Sequence, residues 1–103
     1  MSGLDVDALL RRALERAADA AGVVMTVSRS ESGRWASATF AGAHHELAAR
    51  VADGPAAAAW LATLSEVELT LRGHLVADIQ IVRMVRADGE IALLLEALTV
   101  EDH

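Results

Sequence analysis

The chain has 103 residues, a net charge of −6 and no cysteine. That length suits one domain spanning 1–103. The missing cysteines exclude disulfides and thiolate metal sites, and the acidic balance opposes any general affinity for nucleic acid or anionic membrane. With 53% hydrophobic residues the composition is that of a folded chain, since disordered chains are poor in apolar side chains.

No apolar run approaches the ~18–20 residues of a membrane span. The opening Met1-Ser2-Gly3-Leu4-Asp5 lacks the basic, then apolar, pattern of a signal peptide, so a cytoplasmic protein is expected. Arginine is used to the exclusion of lysine, and alanine is abundant, as in proteins from GC-rich bacterial genomes.

Residues 4–21 predict a helix. Val6, Leu9, Leu10, Ala13, Leu14, Ala17, Ala20 and Ala21 recur at helical spacing, with Arg11, Arg12, Glu15, Arg16 and Asp19 opposite. Ser2 and Asp5 have the spacing of a capping box, and Gly22 supplies a stop. Val23–Ser28 is β-branched and predicts a strand. Ser30–Arg34 reads as a turn and Trp35–Ala41 as the return strand. Residues 43–52 carry two readings. Alanine content and the Glu46/Arg50 spacing favour helix, while alternation favours a strand with a bulge at Gly42. A loose likeness to Leu71–Ala77, where an apolar strand also meets glycine and then histidine, tips the choice toward strand.

Pro55 fits the first turn of a second helix over 55–64, anchored by Trp60, Leu61 and Leu64. Glu66–Leu71 alternates as a strand does, and Gly73 interrupts it. Beyond it lies a long hairpin turning at Asp88-Gly89, a pair that tolerates the positive φ values of a type I′ turn. The order α-β-β-α-β-β predicts an α+β two-layer sandwich: a four-stranded antiparallel sheet with two helices on one face.

A two-residue turn sets Ala87 opposite Glu90, Arg83 opposite Leu94, Ile81 opposite Glu96, Ile79 opposite Leu98 and Asp78 opposite Thr99. Arg83 and Glu96 then lie diagonally and can pair. In this register Ile79, Ile81, Val85, Leu94 and Leu98 share one face, and Val82, Met84, Ile91, Leu93 and Leu95 the other. Both faces are apolar, whereas a half-solvated sheet should alternate. Helices cover only one of them. A second copy of the chain, sheet on sheet, is the expected cover, giving a homodimer; a sheet curled over its own face is the alternative.

No motif assigns an activity. The four histidines include His44 and His45, which as strand neighbours point to opposite faces. Either of them with His74, Asp78 or Glu46 could form a zinc or iron site if the glycine-marked strands lay side by side. The spacing matches no metal-ligand signature, and no metal or cofactor is expected. Asp78, Glu96, Glu46 and Glu101 offer carboxylates without fixing a pair, and no nucleophile elbow or phosphate loop occurs. The leading expectation is a non-catalytic protein-association module. The other is a small-molecule-binding protein or enzyme whose pocket at the dimer seam uses His44, His45, His74 and Asp78.

Overall fold

Asp5 stands just outside helical geometry and its carboxylate accepts a hydrogen bond from the Asp7 N–H at 3.1 Å, which caps helix α1, Val6–Ala20. This is the computed structural model of the chain; it describes residues 5–102. The expected capping box places Asp5 three residues inside the helix, but Asp5 is itself the cap; Ser2 lies outside the described residues. Leu10, Leu14 and Ala18 form the buried stripe, and Ala20 and Ala21 are exposed past its end. Gly22, at φ +78, turns the chain out of the helix.

The sheet contains β1 (Met25–Ala36), β2 (Ala41–Ala52), β3 (His74–Ala87) and β4 (Glu90–Glu101), in the order β1-β2-β4-β3 and antiparallel throughout. The order is unchanged when the two α-β-β halves are exchanged. Helix α2, Pro55–Ala62, carries Pro55 in its first turn and is followed by a short 3-10 turn, Leu64–Glu66. The expected α+β sandwich is therefore the observed one. Leu10 and Leu14 of α1, with Trp60 and Leu61 of α2, pack in one core with Leu47, Val51, Ile91 and Leu95 of the central strands. Each fully buried leucine in that set contributes about 1.5–3 kcal/mol relative to an exposed one. Among the described residues, no helix is long and apolar enough to cross a membrane.

Residues 43–52 are strand. The irregularity expected at Gly42 sits instead across the ladder at Ser28, between the pairs Val27–Ala49 and Arg29–Ala48. Ser30–Arg34, expected as a turn, continues β1. As an edge strand β1 tolerates polar side chains, and its backbone groups are taken up by β2. The turn falls at Ser37–Phe40, where the Ser37 N–H donates to the Phe40 carbonyl at 2.7 Å and the Ser37 hydroxyl oxygen accepts from the Phe40 N–H at 3.1 Å. Glu66–Leu71 is not a strand. Its alternation buries Leu71 and half-buries Val67 and Leu69, but its ladder contact is limited to a bridge from Leu71 to His74.

The hairpin turns at Asp88 (φ 55) and Gly89 (φ 76), as expected. Its pairing agrees from Ala87–Glu90 down to Arg83–Leu94 and then slips. Val82 and Ala77 are each an extra residue on β3. After the first bulge Ile81 faces Leu95 and Ile79 faces Ala97, not Glu96 and Leu98; Asp78 faces Leu98, not Thr99. One extra residue reverses which face a side chain takes. Ile79 and Ile81 thus enter the helix-covered core, and Asp78 emerges on the open face.

Candidate functional site

The open face is read most easily as rows across β1, β2, β4 and β3. Trp35, Gly42, Val100 and Leu75 form the first row; Gly33, His44, Leu98 and Asp78 the next. Glu31, Glu46, Glu96 and Gln80 follow. Beyond them come Arg29, Ala48, Leu94 and Arg83, and then Thr26, Arg50, Ala92 and Val85. The expectation that both faces are apolar holds on β4, where Leu94, Leu98 and Val100 point outward, but not across the sheet. β1 and β2 bring exposed glutamates and arginines to that face, and glutamate also interrupts β4 at position 96. Arg83 and Glu96 occupy adjacent rows, yet form no ion pair among the described residues; Arg29 instead approaches Glu31 at 3.9 Å.

The glutamate row and its neighbours line an open groove of about 610 Å³, with His44, Asp78, Gln80 and Leu98 in its wall. Of the four residues expected to form a site, His44 and Asp78 share this groove. They lie on either side of Leu98, two strand spacings or about 10 Å apart. β2 and β3 are not adjacent, because β4 runs between them. His74 starts β3 on the opposite face, near Asp5, Thr99 and Glu101. No cluster of three metal-ligating side chains occurs among the described residues.

His45 points into the core, and its ring is fully buried. Its Nδ1 lies 2.9 Å from Asp7 Oδ1, and its Nε2 lies 2.9 Å from Thr99 Oγ1. Ser30 donates its hydroxyl to the other Asp7 oxygen at 2.5 Å. Because a carboxylate only accepts, the His45 nitrogen facing Asp7 carries a proton. An unprotonated Nε2 then accepts the Thr99 hydroxyl, whose other acceptor, the Ala43 carbonyl, is more distant at 3.4 Å. Hydroxyl, imidazole and carboxylate in series have the connectivity of an activated nucleophile. Here, however, Thr99 and the His45 ring have no accessible surface, so a substrate carbonyl has no approach to the hydroxyl. The arrangement locks α1 to β2 and β4.

Asp7 and Thr99 were invisible to the sequence as members of this set. An aspartate in the first turn of a helix ordinarily faces solvent and complements the helix dipole. Its partner His45 is distant in sequence, and no local pattern links the two.

No family model and no curated protein matches the chain. Its fold is similar to that of a chain in a solved structure, the virion of a native gene transfer agent particle. The two chains superpose with a TM-score of 0.55 at 21% sequence identity, over 78% of this chain and 69% of that one.

Proposed function

We propose that the chain is a non-catalytic protein-association module that forms a homodimer through the open face of its sheet. The observation that carries this reading is the uncovered face itself. Its central strand presents Leu94, Leu98 and Val100 outward, and half-buried Trp35 with exposed Leu75 and Val85 extend the apolar surface toward both edges. Apolar groups grouped on an otherwise polar face mark association surfaces. The similarity in fold to a subunit of a virion, a particle made by protein association, agrees with it. The sealed state of the Asp7–His45–Thr99 set fits a role without catalysis. Size-exclusion chromatography with light scattering at micromolar concentration tests the proposal. A mass near twice 10.9 kDa, reverting to the monomer in Leu98→Arg, supports it; a monomeric wild type removes it.

A second reading follows from the groove holding His44 and Asp78, which would lie at the seam of such a dimer. The chain would then bind a small polar ligand, and the surrounding glutamates would select a cation. A thermal-shift screen of organic cations tests this. Stabilisation that is lost in Asp78→Asn supports it, and no response at millimolar concentration removes it.

A further inference from the structure

The open face is divided by charge along its strands, and the division selects one way for two copies to meet. This inference rests on the open-face dimer proposed above. Glu31, Glu46 and Glu96 occupy a single row on three adjacent strands, with Asp78 in the row before. Arg29 and Arg83 share the next row, and Arg50 lies in the one after. All these side chains are exposed. Like charges opposite each other on neighbouring strands are unfavourable. Three glutamates abreast therefore raise the free energy of the isolated subunit, which a positively charged partner surface would relieve.

Two sheets stacked face to face by a two-fold axis have two simple arrangements. If the axis runs along the strands, each row meets itself, and Glu46 lies over Glu96 of the other copy. If it runs across the strands, the sequence of rows is inverted. With the axis between the glutamate row and the Arg29–Arg83 row, Glu31 meets Arg29 of the other copy. Glu46 then lies between Arg29 and Arg50, and Glu96 falls beside Arg83. In the same arrangement Leu98 meets Ala92. Because the contact is isologous, every charge pair is made twice. Burying a charge without a partner costs more than a new pair gains, so the first arrangement is disfavoured by its unpaired glutamates and the second is not.

We infer that this face binds a second copy of the chain with the two-fold axis across the strands, the glutamate row of each copy set against the arginines of the other. The area is adequate. Strands of 12 residues at ~3.3 Å per residue, with four strands ~4.8 Å apart, give roughly 600–800 Å² per copy, near that of a standard stable interface.

Two charge-reversed variants test the inference: Glu31→Arg with Glu46→Arg, and Arg29→Glu with Arg50→Glu. All four positions are exposed, and circular dichroism verifies that each variant is folded. Alone, each should dimerise at least about tenfold more weakly than wild type, because its face becomes largely one sign. An equimolar mixture should form a heterodimer of near wild-type affinity, and the wild-type dimer should weaken as salt is raised from 50 to 500 mM. Either variant dimerising as well as wild type, or a mixture that fails to restore association, overturns the crossed arrangement while leaving the open-face dimer standing. A wild type that is monomeric at 50 mM salt overturns the dimer itself.

Discussion

Asp7 and His45 make a buried carboxylate–imidazole contact of 2.9 Å between the first turn of α1 and the second strand of the sheet. Removing either partner leaves the facing atom of the other, His45 Nδ1 or Asp7 Oδ1, without its hydrogen bond, which costs about 1–3 kcal/mol, and more where a charge is stranded. Asp7→Ala and His45→Ala are each expected to lower the unfolding free energy by about 2–4 kcal/mol. The double variant should lose less than the sum, because the second removal takes away a group already stranded. Urea denaturation of the four proteins measures the coupling; strictly additive losses would mean that the contact holds nothing.

Gly42 is fixed by its surroundings. A Cβ placed there would lie 1.9 Å from the Thr99 carbonyl oxygen and 3.0 Å from the Trp35 ring. The first neighbour is backbone, so relief requires β2 and β4 to separate at that corner. Gly42→Ala is expected to cost at least about 1–3 kcal/mol, the usual range for overpacking. In a domain of this size each kcal/mol lowers the melting temperature by roughly 4–8 °C. A thermal melt within 2 °C of wild type would contradict the close approach.

The bulge at Val82 sets which apolar residues reach the core. Deleting Val82 removes the extra residue and lets the ladder run evenly from Arg83, with Ile81 still opposite Leu95 and Ile79 still opposite Ala97 on the core side. Ile79, 2% exposed, should stay buried. The deletion variant is therefore expected to fold with its core intact, read by far-ultraviolet circular dichroism and urea denaturation. A variant that unfolds or aggregates would mean that the bend at the bulge is itself required.

Trp35 reports on the proposed interface directly. It is half-buried on the open face, while Trp60 is core. In a Trp60→Phe background the Trp35 emission should move to shorter wavelength as concentration rises through the dimerisation range, and move back in Leu98→Arg. Emission independent of concentration in a protein shown to dimerise would place the contact elsewhere.

Much of this architecture is legible in local patterns. The α1 stripe, Pro55 at the start of α2 and the Asp88-Gly89 turn each follow from chemistry within a few residues. What escapes depends on distant partners. The bulges at Ala77 and Val82 carry no glycine or other local mark, so a register projected from the turn drifts off by one at Ile81 and by two at Val76. Ser30–Arg34 has turn composition and still forms strand, because β2 supplies its hydrogen bonds. Both histidines of the His44-His45 pair are placed correctly on opposite faces by alternation. That His45 meets Asp7, and that Asp78 meets the glutamate row, depends on packing and pairing that local sequence does not encode.

The strand order also has a temporal side. The pairing of β2 with β4 joins Gly42 to Val100, whereas each hairpin joins near neighbours. Loop closure over such a separation is slow compared with hairpin formation. During synthesis the inner edge of β2 must wait, unpaired, until the last strand has left the ribosome. That edge belongs to an alanine-rich strand, and an unpaired strand edge is the kind of exposed template that recruits other chains. The interval before β4 arrives is therefore the stage at which this chain is most exposed to misassembly, and a chain ending before β4 would remain in it permanently.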